Sequence, residues 1–465
     1  MMESRRQDRW LYIPVEVKVR EFKAKTLLAC LAAQRGYNVV IGEAHAVRAS
    51  LHLLPAGVVL EKGVAPSKEE SFEKFKHLGN RVVAWCEEGL VFFDDADYVR
   101  RKISRDEINN VDTFFAWGQY QADLIARHFP ELKNRIVCSG NVRFDLLQQP
   151  YREVFSEDAQ ELRQKHGPFI LVNTNFSHCN HRNGENGYVE VLRQAGKLNS
   201  AEDEKFTSGW MAHKRCIFNA FIPMIRRIAK EYKDYKVIVR PHPGERYETY
   251  VELFETENNV FVLHEGEVIP WILASSVLIH NGCTTGIEAL LLDRPAIAYR
   301  PVISNVYDQY LPNSVNFQAE DEDDLLTALN ELLNDHAPSG RYVRSEERIE
   351  VLSQYLNGFD GVSASGIILD NVDQVVSSVK TKNRRPWFFL NSLNYRYYMK
   401  LNVLLYKLLS GVAERGDYSK HKFPGVSEKE MRDEVGNIQS LMSFKTELKL
   451  YPLTEDVFMV TSADQ

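Results

Sequence analysis

The feature that most constrains the fold is an alternation. Short apolar runs, each followed by a stretch with helical spacing, recur along most of the chain. The run 10–15 precedes a helical 19–35 carrying Ala24, Leu27, Leu28 and Leu31; Gly36 ends that helix, and 37–41 makes the next strand. The pattern returns at 57–60, 67–78 and 81–85, and again at 112–117, 119–128 and 135–138. After a polar, charged stretch at 151–165 a fresh series starts with a strand at 168–173 and a long helix at about 209–232. Strands at 236–240, 260–263, 276–280 and 295–299 follow, then helical stretches at 321–334 and 341–355. Strands that alternate with helices form a mostly parallel sheet with the crossover helices on its faces. The expected fold class is therefore α/β, with two Rossmann-like, doubly wound domains over 1–160 and 161–375. A helical C-terminal extension is expected over 376–465. At 465 residues the chain is long enough for each domain to bury a full core.

Charge and cysteine usage narrow the class. A formal net charge of −7 argues against a general nucleic-acid binder. The six cysteines are scattered with no Cys-x-x-Cys, the pattern of reduced thiols in a cytoplasmic protein. The N-terminus opens on Glu and Arg rather than a signal sequence, and no apolar run is long enough to span a bilayer, so a cytoplasmic location is expected. At 384–409 a basic and aromatic amphipathic helix is expected. It either rests on the anionic inner membrane as a peripheral contact or packs back on the core.

Two stretches carry the strongest chemical signal. The run 276–280 reads as a buried strand that breaks at Asn281-Gly282, after which Thr284, Thr285 and Gly286 lead into a helix. Free backbone N–H groups and the positive end of the helix dipole suit a phosphate there. Glu288 either accepts two ribose hydroxyls or completes a capping box. The strand 236–240 ends in Arg240-Pro241-His242-Pro243. The two prolines hold the backbone extended, so His242 projects rigidly, able to bind a phosphate oxygen or protonate a departing phosphate; otherwise it is a turn histidine. Glu87 and Glu88 follow the strand 81–85, where one of them can deprotonate an attacking hydroxyl or simply be solvated. Arg143 and Asp145 either bind substrate or form a structural ion pair. Asn173, Asn175 and His178 end the first strand of the second domain and can hold sugar or nucleotide groups, or build an Asx turn.

These residues together resemble bacterial surface-carbohydrate (capsule and lipopolysaccharide) biosynthesis proteins of the GT-B glycosyltransferase type, over most of 10–300. The markers are Glu87-Glu88-Gly89-Leu90, Phe115-Ala116-Trp117-Gly118, Gly140-Asn141-Val142-Arg143-Phe144-Asp145, Asn173-Thr174-Asn175-Phe176 and Arg240-Pro241-His242-Pro243. The last of these, with the hydroxyl-Gly-x-Glu turn, is similar to those of capsule Kdo transferases, polysialyltransferases and CDP-glycerol polymerases, which use cytidine-nucleotide donors. The resemblance implies two Rossmann-like domains facing a cleft, with His242, Thr284 and Thr285 on the donor phosphates. Arg240, Asn281, Gly286 and Glu288 complete the expected nucleotide site. Where retaining Kdo transferases of this group place a nucleophilic Asp, this chain has Asn173 and Asn175. An amide cannot act as that nucleophile, so a single inverting displacement is expected, with Glu88 or Glu87 as base and His242 at the leaving phosphate.

The expected activity is transfer of a sugar, an ulosonic acid such as Kdo or a sialic-acid relative, from a CMP-linked donor to a polysaccharide or lipopolysaccharide acceptor. No cofactor and no metal ion are expected, because His, Thr and a helix N-terminus neutralise the leaving phosphate. The alternatives are a UDP-sugar 2-epimerase, a polyol-phosphate transferase using CDP-glycerol, and a non-catalytic scaffold of a polysaccharide assembly complex.

Overall fold

The computed structural model of the chain describes residues 9–65, 72–92, 95–194, 198, 200–334, 341–379 and 422–463. The expected helix 384–409 lies outside them. The chain forms two compact units, Met1–Leu90 with Val99–Val154 and Tyr355–Gln465, and Val91–Tyr98 with Phe155–Gln354.

In the first unit β1 (Arg9–Val15), β2 (Tyr37–Glu43), β3 (Val58–Glu61), β4 (Arg81–Ala84), β5 (Thr113–Ala116) and β6 (Ile136–Cys138) pair in parallel. Nearly every residue of β1 to β5 is buried, as expected of strands with helices on both faces. The chain passes from β1 to β2 on one side and then returns to β3 on the other.

In the second unit β7 (Phe169–Asn173), β8 (Lys236–Arg240), β9 (Val260–Val262), β10 (Val277–His280), β11 (Ala296–Tyr299) and β12 (Phe317–Ala319) form a parallel six-stranded sheet, ordered β12-β11-β10-β7-β8-β9. Its connecting helix Ala201–Glu231 starts earlier than expected. Ser200 caps it by accepting from the Asp203 N–H at 3.1 Å, and three acidic residues follow in the first turn. Ile217, Phe218, Phe221, Ile225 and Ile228 of that helix pack on Ile170, Val172, Val237 and Val239 of the sheet. Among the described residues of 341–355, the helix is confined to Glu346–Tyr355.

The last described stretch contributes a helix, Glu428–Met442, and a hairpin, β13 (Leu448–Thr454) with β14 (Val457–Ser462). β14 runs antiparallel to β2, with Val457 opposite Gly42 and Val460 opposite Val39. It covers an edge whose residues are all buried, Tyr37–Glu43, so an apolar hairpin completes the sheet. The return of the chain to the first unit is tight. Gly140 has φ +81°, and a Cβ there would meet the Asn357 carbonyl. Among the described residues no helix is long and apolar enough to cross a membrane.

Candidate functional site

Three neighbouring strands of the second unit end level with one another. His280 of β10 lies opposite Asn173 of β7, which lies opposite Arg240 of β8. The strand order reverses between β7 and β10, and open α/β sheets bind ligands at the carboxyl ends beside such a reversal. The predicted residues of the second unit all lie on or just beyond these three strand ends.

Beyond β8, the Pro241–Gly244 turn is held by a carboxylate that was not foreseen. Glu245 is buried and accepts from the His242 backbone N–H (3.0 Å), the Thr174 hydroxyl (2.8 Å) and the Tyr250 hydroxyl. Burial pushes its pKa up, against the hydrogen bonds that favour the carboxylate. His242 itself is exposed, and its Nδ1 accepts from the Gly244 N–H at 3.1 Å. The proton of the neutral imidazole therefore sits on Nε2, the correct tautomer for donation to a phosphate oxygen. Arg240 does something else. Its buried guanidinium donates to the carbonyls of Glu265 (2.6 Å) and Gly266 (3.1 Å) and lies over the Trp271 ring. Burial lowers its pKa to about 10, which leaves it charged. It fixes the loop after β9.

Beyond β10, Asn281 and Cys283 lead into the helix Thr284–Leu291. Cys283 is the N-cap and supplies no side-chain cap, so neither threonine closes a capping box. Thr285 and Glu288 are buried, and Thr284 is half-buried. Gly286 is needed for close packing: a Cβ there would meet His280 Nε2 at 2.4 Å and Asn316 Nδ2 at 2.6 Å. Its role is to admit the His280 ring under the first helical turn. Asn281 Nδ2 donates to the Asn175 carbonyl at 3.4 Å, which joins the β10 turn to the β7 turn.

The β7 end carries unmet hydrogen-bonding capacity. Asn173 is buried, and neither atom of its amide has a hydrogen-bond partner. The His178 ring lies against Trp210 at a tilt of 44°, with centroids 3.7 Å apart, and its Nδ1 is likewise buried and unpartnered. Burial, then the charges of Lys214, His242 and His181, hold its pKa well below the usual value, so the ring is neutral at pH 7.

Sequence reasoning missed Lys214 and the residues beside it. Lys214 projects from the long helix, 4% exposed, with its ammonium 3.4 Å from the Asn281 carbonyl. The adjacent His213 bonds Asp308 at 2.7 Å, and Arg300 bonds the other oxygen of Asp308 at 2.6 Å. The available signal was helical spacing, since Lys214, Phe218, Phe221 and Ile225 fall on one face.

In the first unit the two predicted carboxylates have separate fates. Glu87 is buried, accepts from Trp85 Nε1 at 2.8 Å and lies 3.1 Å from the buried Lys25, which also pairs with Glu21 at 2.9 Å. Glu88 is more than half exposed, paired with Lys102 and 3.6 Å from Arg20. Glu88 is thus the carboxylate of the two that a substrate can reach. Asp145 accepts from the Ala364 N–H (2.8 Å), the Ser365 N–H (2.7 Å) and the Ser363 hydroxyl (3.3 Å), which assigns it to the start of the helix Ala364–Val376. Arg143 is half-buried, its backbone N–H bonded to Asn141 Oδ1 at 3.0 Å.

No protein-family model and no curated protein sequence matches the chain. Among solved structures, the wall teichoic acid polymerase TagF is similar at 13% identity over 80% of this chain and 89% of that chain, with a TM-score of 0.51. A variant of the same polymerase matches with the same figures. The UDP-GlcNAc 2-epimerase from Neisseria meningitidis bound to UDP-GlcNAc is 13% identical over 79% of this chain and 100% of that chain, with a TM-score of 0.42. The likeness is one of fold: an α/β chain of two Rossmann-like domains of the GT-B type.

Proposed function

We propose that the second unit binds the nucleotide part of an activated donor at the carboxyl edge of its sheet, and that the protein transfers the donated group to a cell-surface polysaccharide or lipopolysaccharide acceptor. The observation that carries this reading is the level row His280, Asn173 and Arg240, from which two phosphate-suited turns continue. The donor is proposed to be a CMP-linked sugar, an ulosonic acid such as Kdo. His242, with its proton on Nε2, donates to the departing phosphate, while the N–H groups that open the Thr284–Leu291 helix take its remaining charge. Transfer is proposed to need no metal ion. In a single displacement the acceptor oxygen forms the new bond to the sugar, the bond from sugar to phosphate oxygen breaks, and the electron pair leaves with the phosphate. Glu88 takes the acceptor's proton.

A second reading is transfer of glycerol phosphate from CDP-glycerol, which draws support from the fold shared with a wall teichoic acid polymerase. Calorimetric titration with CMP, CDP, UMP and UDP separates the readings. CMP or CDP is expected to bind and His242→Ala to weaken binding about tenfold, as for loss of one hydrogen bond to a charged group. Preference for UDP would move the assignment to UDP-sugar chemistry, and failure of all four to bind would end the nucleotide reading. Glu88→Gln is expected to leave nucleotide affinity unchanged and to abolish transfer once the acceptor is found; retained transfer would exclude it as base.

A further inference from the structure

Lys214 stands out beside the proposed nucleotide site, because the two carboxylates near its buried charge, Asp308 and Glu245, are already bonded by other donors. The side chain is 4% exposed, and the hydrogen bond that its ammonium makes to the Asn281 carbonyl is long, at 3.4 Å. The carboxylate of Asp308 is nearby, yet it is bonded on one oxygen by His213 and on the other by Arg300. An ammonium removed from water without a close counter-ion is destabilising, and burial accordingly lowers its pKa. The other groups near it are the buried carboxylate of Glu245, already bonded by the His242 N–H and the Thr174 and Tyr250 hydroxyls, the rings of His178 and His280, both deprived of protons by burial and by the lysine itself, and the thiols Cys179 and Cys283. At the same sheet edge the buried Asn173 amide makes no hydrogen bond with either atom, and neither does the buried Oδ1 of Asn281.

We propose that Lys214 and Asn173 form an anion subsite at the reversal point of the second sheet, one that takes the phosphate of a nucleotide and supplies the counter-charge otherwise drawn from a divalent ion. The proposal deepens the nucleotide reading and rests on the same strand ends. The ammonium and the Asn173 amide are donors held by the scaffold before the ligand arrives, so no reorganisation is needed on binding. The long helix fixes the lysine: its apolar face, Phe218, Phe221 and Ile225, is packed on the sheet. A bound anion gives the buried ammonium a counter-charge of its own.

The test uses the full chain, with a chelator present, as wild type and as Lys214→Met. The probes are cytidine, CDP and inorganic pyrophosphate, followed by calorimetry and by thermal melting. The ligand-free Lys214→Met protein is expected to melt at or above the wild-type temperature, because a buried charge is replaced by an apolar chain of similar length. CDP and pyrophosphate are expected to bind it about tenfold or more weakly than wild type, with cytidine unaffected. A variant that melts well below wild type and binds CDP and pyrophosphate as tightly would make Lys214 structural and overturn the proposal. If no nucleotide binds the wild type but pyrophosphate does, and Lys214→Met loses it, the anion subsite stands while the nucleotide reading falls. If neither CDP nor pyrophosphate binds the wild type, the subsite is refuted.

Discussion

Glu245 decides where His242 points, and a substitution there separates the turn from the strand that carries it. The carboxylate receives the His242 N–H, the Thr174 hydroxyl and the Tyr250 hydroxyl inside the protein. Glu245→Ala leaves those donors without an acceptor, and each buried unsatisfied donor costs on the order of 1–3 kcal/mol. We expect a loss of about 3 kcal/mol in urea unfolding, with nucleotide affinity falling as in His242→Ala; an unchanged unfolding midpoint would show that the turn holds itself. The His242 turn was legible in the sequence because its two prolines restrict the backbone whatever surrounds them. Glu245 was not, since an acidic residue after a turn reads as solvated until its donors are seen. Lys214 was hidden for a similar reason. In the run His213-Lys214-Arg215 it looks like part of a charged helix face, and only the partners of that helix show that Lys214 faces inward. The bonds of Asp145 were not legible either, since the helix start it serves lies 219 and 220 residues further on.

Among the elements, the strands of both sheets fell within a residue or two of their expected spans, because apolar runs buried on both faces have few other ways to fold. β12 (Phe317–Ala319) is the exception, because Gln318 interrupts it and leaves no apolar run to read. The hairpin β13–β14 escaped notice because it is added in antiparallel fashion after a helix, outside the repeating order that identified the rest. Its contribution is specific. Phe458, Met459 and Val460 are buried, and β14 hydrogen-bonds along the β2 edge opposite Val39 to Gly42. Ending the chain before Leu448 would leave that apolar strand as an open edge, a template for pairing with another chain. The truncated protein is expected to aggregate or elute as oligomers in size-exclusion chromatography. A monomeric truncation with wild-type melting would show that the hairpin is dispensable.

At the scale of the whole molecule, the sequence made the α/β class and the two sheets visible, but it could not show which charges end up buried in them, and those charges set how the protein responds to acid. His280 is fully buried in the second unit. Burial first, and then the charge of Lys214, hold its pKa down to about 3, against an ordinary value of 6.5. Below pH 6.5 the unfolded chain therefore binds a proton that the folded protein refuses. The stability linked to His280 is present in full above that pH and drains away as the pH falls towards about 3. Asp308 continues the trend at lower pH. Burial pushes its pKa up, but hydrogen bonds from His213, Arg300 and the Ser304 N–H outweigh that and hold it at about 2, below the ordinary 3.8, so its contribution is lost as the pH falls through that window. One proton of difference corresponds to a slope of about 1.4 kcal/mol per pH unit. Urea unfolding of wild type and His280→Gln between about pH 6 and about pH 4 should therefore differ in slope by roughly that amount, the variant being the less sensitive to acid. Parallel slopes would mean that the imidazole is not kept neutral beneath Gly286, and the tight packing at the start of the Thr284–Leu291 helix would need another cause.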